Sequence, residues 1–396
     1  MSKFTVKWGI LATGGIAETF TRDLTVNPET RGVNDIEHTV VAAASSSSAD
    51  RAKKFLETVG APASAKAYGS YKELVSDPNV DIIYVATPHS HHYQNARLCL
   101  EAGKNVLCEK AFTTNAKQTR ALVELARKKN LFLMEAVWTR YFPLSIYVRD
   151  VITSGKIGTV HRVEADNAPG IVSPENAFPD SHRMVNPELA GGALLDLGIY
   201  SLTWVFQCLY TTQPASERKP PKVLGAMAKY RTGVDESSTM LLTFPRSGLP
   251  DAHGIATTSM RTLSDPDSKG TAGPAIRVFG EKGEVQVWAP AYRPTKTRLV
   301  TSDGKIEEKD WPQPGPGKGS GWYNGFLGSN QAEGEGQGMF WEADEAGLAL
   351  KEGRKEGQYE NLEESITIME VMDEVRRQND MKYPEKIEST EYPLDL

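Results

Sequence analysis

Residues 106–110, Val-Leu-Cys108-Glu109-Lys110, end a short apolar run with a carboxylate and an amine side by side. Two other apolar runs, 81–88 before it and 131–136 after it, stop at polar edges in the same way. Buried parallel strands read as continuous apolar runs, and ligands of open α/β sheets gather at the strands' carboxyl ends. A lysine there is either a surface charge at a strand terminus or a group set beside a reaction. A second polar pair, Asp196 and Tyr200, stands four residues apart in an otherwise apolar helical pattern over 191–204. That spacing puts both on one helix face. Polar groups on an apolar helix need partners or a job.

The elements around these residues form a recognisable frame. Residues 4–11 are strand-like, the small-residue turn Ala12-Thr13-Gly14-Gly15-Ile16-Ala17 follows, and a helix pattern begins at Glu18. Strand, turn and helix are the context of the dinucleotide fingerprint G-x-G-x-x-G, present here as A-x-G-x-x-A. Gly14 lets the backbone approach a pyrophosphate, Ala12 keeps the turn small and Ala17 lets helix and strand pack closely. Thr13, Gly14, Gly15 and Ile16 are therefore candidate phosphate contacts, with the helix N-terminus supplying free N–H groups. The second strand, 38–44, ends in Ser45-Ser46-Ser47-Ser48, with Arg51 just beyond, where NAD enzymes place an acid for the ribose. Hydroxyls with a guanidinium accept a 2′-phosphate that an acid would repel, which favours NADP. The serines also read as a polar loop and helix cap, and Asp50 is within reach of a ribose. Thr87-Pro88-His89-Ser90-His91-His92 follows the strand of 81–88. H-x-H-H lacks a fourth ligand at a metal-site spacing, so no metal is expected. The segment reads instead as a wall beside a nicotinamide.

At 396 residues the chain exceeds one ordinary core, so two domains are expected, 1–137 and 138–396. Beyond 138 several strand patterns (159–167, 222–231, 236–244, 253–262 and a hairpin at 281–283) run without helices between them, predicting a largely antiparallel open sheet. The fold class is α/β, a Rossmann domain followed by an α+β domain. Helices are expected at 338–352 and 360–378, after a Gly/Pro-rich loop at 311–336 whose Trp322 and Tyr323 are suited to cover a site. A net charge of -6 without basic blocks argues against nucleic-acid and anionic-membrane partners. Three cysteines without C-x-x-C spacing and no cationic-apolar leader fit a reducing, cytoplasmic setting.

Taken together, the Gly14 turn, Thr87-Pro88 with His92, Cys108-Glu109-Lys110 and Gly191-Gly192-x-Leu194-Leu195-Asp196-x-Gly198-Ile199-Tyr200 resemble the glucose–fructose oxidoreductase/inositol dehydrogenase (Gfo/Idh/MocA) family. The likeness runs nearly end to end, reaching residues 342–346 and Gly353. Residues 134–143, Met-Glu-Ala-Val-Trp138-Thr-Arg140-Tyr-Phe-Pro, are similar to the branch of dimeric dihydrodiol dehydrogenases and NADP-dependent D-xylose 1-dehydrogenases. The resemblance implies a homodimer through the open sheet. It implies that Thr87, Pro88, His89, His92, Glu109 and Lys110 line the cofactor. It implies catalysis by Lys110 and by Tyr200, which fills a slot where many members carry histidine. Lys110 would lower the Tyr200 phenol from its usual pKa of about 10 by standing at hydrogen-bond range. Asp196 would hold the substrate hydroxyl or tune the lysine. Trp138 and Arg140 read as substrate-pocket residues or as packing at the domain junction. The chain departs from the family at Ala111, which replaces the proline of Glu-Lys-Pro and loosens the expected hold on Lys110. The implied reaction oxidises an aldose at C1, D-xylose to its lactone. The alternatives are a trans-dihydrodiol dehydrogenase and a non-enzymatic nucleotide-binding regulator.

Overall fold

In the computed structural model, which describes residues 3–171, 173–325 and 332–396, two sheets divide the chain. The first half supplies β1 (Phe4–Leu11), α1 (Gly15–Leu24), β2 (Ile36–Ala44), α2 (Ala49–Thr58), β3 (Lys66–Tyr68), α3 (Tyr71–Ser76), β4 (Ile82–Val85), α4 (His89–Glu101), β5 (Asn105–Glu109), α5 (Ala116–Lys129) and β6 (Leu133–Ala136). Its strands pair in parallel in the order β3-β2-β1-β4-β5-β6. Both faces are covered, which is why the strands are apolar throughout: Ile83, Val85, Val106 and Cys108 enter one core, Ile82, Tyr84 and Leu107 the other. The order reverses between β1 and β4, and the crevice of a doubly wound sheet opens at such a switch point.

The second half runs α6 (Pro143–Thr153), β7 (Val160–Asn167), α7 (Pro174–Ala177), α8 (Ile199–Leu209), β8 (Lys222–Lys229), β9 (Asp235–Phe244), β10 (Ala252–Ser259), β11 (Ile276–Gly280), β12 (Gly283–Val287), β13 (Lys296–Thr301) and β14 (Ile306–Asp310). The eight strands order as β14-β13-β12-β11-β7-β10-β9-β8, and only β7 and β10 pair in parallel. The strand pattern thus matches expectation, with two outer strands added. β14 is exposed along its whole length and carries Glu307, Glu308, Lys309 and Asp310, a charged edge that discourages further pairing. Its polar sequence carries no apolar alternation to mark it as a strand.

Helix α8 lies on the inner face of this sheet. It comes close to β10 because Gly254 has no side chain; a Cβ there would run into Val205 of the helix. The window 187–209 is apolar and long enough for a bilayer by composition, yet 94% of it is buried inside the protein. Helices α9 (Phe340–Glu352) and α10 (Leu362–Gln378) then return the chain to the first domain. Asp373 of α10 accepts from the Ala116 N–H at the start of α5 (2.9 Å), and Gln118 of α5 donates to the Ile387 and Ser389 carbonyls (2.8 Å each). The C-terminal segment therefore belongs to both domains. The loop before α9 is tied to α1 through Asp23, a buried carboxylate accepting from Asn324 and from the Gln337, Gly338 and Met339 N–H groups. Part of the loop expected at 311–336 lies outside the described residues, and the described part shows Tyr323 half exposed.

Candidate active site

β5 delivers Lys110 to the carboxyl edge of the first sheet, and the structure brings Asp196 of the second domain to meet it. The Lys110 Nζ donates to the Asp196 carbonyl at 2.7 Å and to its Oδ1 at 3.0 Å. The backbone under Lys110 is held despite the missing proline. Ala111 is fully buried, its carbonyl lies 2.9 Å from His92 Nδ1, and the next N–H, of Phe112, donates to Glu135 at 2.9 Å. Asp196 sits in a turn of π-helix, Leu194–Gly198, that leads into α8. Such turns widen the helix locally and collect at functional positions. Here the turn frees the Asp196 carbonyl for Lys110 while keeping Asp196 and Tyr200 on the same side.

Asp196 Oδ1 also takes Arg183 Nη1 at 3.1 Å, and His89 Nε2 stands 3.8 Å away. Burial alone would raise this carboxyl, but Arg183 and then Lys110 outweigh it and hold it well below the usual carboxylate range. Burial pulls His89 down to about 3, so the ring is neutral, with Nδ1 at 3.2 Å from the Ala190 carbonyl. Glu109, directly before the lysine, is buried and takes the Tyr84 hydroxyl; burial lifts it to about 7 against the lowering by Lys110 and Tyr84.

Tyr200 departs from the expected arrangement. Lys110 lies over the face of its ring, 5.0 Å from the centroid, and not at its hydroxyl. The hydroxyl instead accepts from Trp138 Nε1 at 2.6 Å. Burial first, and the Glu109 charge second, push the phenol well above its ordinary pKa of 10, so the lysine-driven lowering is absent. Trp138, Tyr200 and Tyr292 contact one another at centroid distances of 5.9–6.2 Å and form an aromatic wall.

Two expected contacts fall elsewhere. Arg140 is fully buried, paired with Glu364 and bonded to Thr211, to the Tyr359 carbonyl at 3.0 Å and to the Thr203 carbonyl at 3.3 Å. It ties the start of the second domain to α8 and α10 and has no exposed surface for a substrate. His92 is 1% exposed, with both ring nitrogens against the Ala111 and Thr87 carbonyls. It braces the backbone behind the crevice, and His89 is the histidine that faces Asp196.

On the nucleotide side the turn fits phosphate. Gly14 and Gly15 are exposed with open space where side chains would stand, and no side chain caps α1. Ala12 adopts φ +83°, the left-handed conformation that the fingerprint's first glycine supplies, at a cost of ~1–2 kcal/mol for an L-residue. At the end of β2, Ser45 is buried and its hydroxyl lies 3.1 Å from that of Ser47, and Ser46, Ser47 and Arg51 are exposed. Ser48 caps α2, as the alternative reading of the serines allowed. Thr87 and Pro88 lie just beyond β4, and Pro88 is the residue from which α4 starts. Sequence reasoning missed Arg183, Tyr292 and Tyr71, whose hydroxyl bonds to Ser46. Arg183 stands in a loop without periodicity, so nothing local marked it.

A parallel dinucleotide-type sheet whose edge meets charged residues of a second domain defines a nucleotide-dependent oxidoreductase. Residues 6–137 match the oxidoreductase family model with NAD-binding Rossmann fold, and residues 146–286 match the GFO/IDH/MocA C-terminal domain. The chain belongs to the GFO/IDH/MocA family of oxidoreductases. It is 53% identical over 392 residues to D-xylose 1-dehydrogenase (NADP(+)) of Hypocrea jecorina, covering 98% of this chain and 96% of that one. It is 36% identical over 381 residues to trans-1,2-dihydrobenzene-1,2-diol dehydrogenase of Sus scrofa, covering 96% and 98%. Among solved structures, aldose-aldose oxidoreductase from Caulobacter crescentus complexed with glycerol shares the fold, with TM-score 0.70 and 21% identity over 96% of this chain and 100% of that one.

Removing one partner of a buried ion pair strands the other charge at a cost of ~3–5 kcal/mol. Arg140→Ala is therefore expected to lower the melting temperature by several degrees. A variant of unchanged stability with a raised substrate KM would return Arg140 to the pocket.

Proposed function

We propose that this enzyme oxidises an aldose at C1 with NADP as acceptor, with D-xylose to D-xylonolactone as the leading case. The observation that carries the reading is the Lys110–Asp196 pair, a cation and a carboxylate from different domains meeting at a strand's carboxyl end beside the face of Tyr200. The dehydrogenase of Hypocrea jecorina supports the substrate and the cofactor by its likeness. Ser46, Ser47 and Arg51, with Tyr71 beside them, suit a ribose 2′-phosphate, since β2 runs straight into serines where NAD enzymes place an acid. When bound, NADP accepts the hydride and brings a positive ring charge into the site.

The chain's own residues handle the proton. Lys110 Nζ donates to the oxygen of the carbinol and steadies it as its charge grows. Tyr200, as its phenolate, takes the hydroxyl proton and becomes the phenol, and the Trp138 N–H holds the phenolate oxygen before the transfer. Burial opposes that phenolate, so oxidation quickens as pH rises and the base form becomes more populated. Lys110 and Asp196 inside the site and Arg183 at its mouth favour a polyhydroxy substrate over an aromatic diol, and the Trp138–Tyr200–Tyr292 wall gives the sugar's C–H face a surface.

The test is absorbance of the reduced nicotinamide, with NADP or NAD offered alongside a panel of aldoses and a trans-dihydrodiol. NADP reduction by D-xylose is expected, faster than NAD reduction. Lys110→Met is expected to slow it by ~10²–10⁴-fold with NADPH binding retained. Nucleotide binding without reduction by any substrate would support the regulator instead.

We also propose that two chains pair through the open face of the second sheet. Leu224 and Leu241, 66% and 40% exposed, stand directly opposite each other on β8 and β9. Light scattering should return twice the chain mass, and Leu241→Lys should reduce it. A wild-type mass of 43.5 kDa would contradict the pairing.

A further inference from the structure

We propose that Arg183 determines specificity: together with Asp196 it clamps the hydroxyl next to the carbon being oxidised, so the site selects vicinal-diol substrates. The inference rests on the carbinol-oxidising reading above and names what the site recognises beyond the reacting group.

Asp196 is engaged through one of its two carboxylate oxygens. Lys110 and Arg183 both spend a hydrogen bond on the same oxygen, Oδ1, at 3.0 and 3.1 Å. No described residue donates to Oδ2. The two cations also differ in depth. The Lys110 side chain is 11% exposed and that of Asp196 10%, whereas Arg183 is 48% exposed. Lys110 therefore marks the closed end, beside Tyr200, and Arg183 marks the mouth. A substrate whose reacting hydroxyl reaches Lys110 meets Arg183 with its next group outward.

Arg183 is presented by a built loop. Val185 and Asn186 N–H groups donate to the His182 carbonyl at 3.0 and 2.9 Å, and Gly191 and Gly192 N–H groups close back on the Asn186 and Met184 carbonyls. Thr232 holds the Val185 carbonyl and Tyr383 the Gly191 carbonyl at 2.6 Å. A Cβ at Gly191 would stand 2.7 Å from the Arg183 carbonyl, so the loop is wound as tightly as the backbone allows. The guanidinium is thereby aimed at Asp196 from a fixed base.

The chemistry of the pair selects its ligand. A guanidinium is a planar fork of N–H donors, one of which already goes to Oδ1. A hydroxyl both accepts and donates, so it satisfies an Arg183 N–H and Asp196 Oδ2 at once. A methylene in its place leaves both unpaired inside the site. Sites built to bond a hydroxyl reject the analogue lacking it, whereas apolar contacts discriminate weakly. Aldoses and trans-dihydrodiols share this feature, a hydroxyl adjacent to the reacting carbinol.

The experiment compares D-xylose with 2-deoxy-D-xylose, with NADP saturating, in wild type, Arg183→Met and Arg183→Lys. Wild type is expected to prefer D-xylose by ~100-fold or more in kcat/KM. Arg183→Met should bring the ratio within ~10-fold, chiefly through the KM for D-xylose, and Arg183→Lys should fall between. NADPH binding, read by fluorescence, reports that each variant is folded. A ratio in Arg183→Met equal to wild type, or a wild type indifferent to the 2-hydroxyl, overturns the proposal while leaving the oxidation of aldoses standing. A wild type that oxidises neither sugar nor a trans-dihydrodiol removes the functional reading, and this inference with it.

Discussion

The Lys110–Asp196 ion pair is the constraint on which the rest of the site depends. Its partners are 86 residues apart in sequence and come from different domains, yet each is nearly excluded from water. At 3.0 Å and an effective dielectric near 20 the gross attraction is about 5 kcal/mol, from which the desolvation of both ions must be subtracted. Such a pair is therefore a weak source of stability and a strong source of placement. If either partner shifts, the other is left charged and buried. The surrounding structure prevents this: His92 and Ala111 fix the lysine's backbone, and the π-turn before α8 offers both a carbonyl and a carboxylate to its ammonium.

The pair also sets the electrostatics. Asp196 is the carboxylate shared by Lys110 and Arg183, so the site carries excess positive charge, suited to an oxygen that becomes negative as its proton leaves. Behind it the balance is reversed. Glu109, lifted to about 7, lies beside Tyr84, and its charge helps keep the Tyr200 phenol protonated. A proton acceptor of high affinity therefore sits next to a cationic pocket. This differs from the expected picture, in which Lys110 itself would have lowered the tyrosine.

The frame was legible in the sequence because it rests on local patterns. Apolar runs bounded by turns marked β4, β5 and β6, and the small-residue turn at Gly14 marked α1. The 196/200 spacing put Asp196 and Tyr200 on one face, although it hid the π-turn, since four-residue spacing survives that distortion. Features set by tertiary contact were not legible. Arg140 stands in a motif with Trp138, and only the burial of Glu364 against it, 224 residues later, makes it a structural residue. His89 and His92 share one helix face by spacing, but the direction of the carbonyls around them separates their roles. Arg183 lies in an irregular loop and becomes visible only where the chain folds back on Asp196. β14 escaped notice because an exposed edge strand needs no apolar alternation.

The most direct test of the account is a double-mutant cycle on the ion pair, using Lys110→Met, Asp196→Asn and the combination, with hydride transfer from D-xylose to NADP followed in a single turnover. Residues acting as one unit are strongly non-additive. The account predicts that the combined variant is little slower than the slower single one, with NADPH binding retained in all three. Losses that simply multiply would show that Lys110 and Asp196 act independently, and would contradict the central place given to their contact.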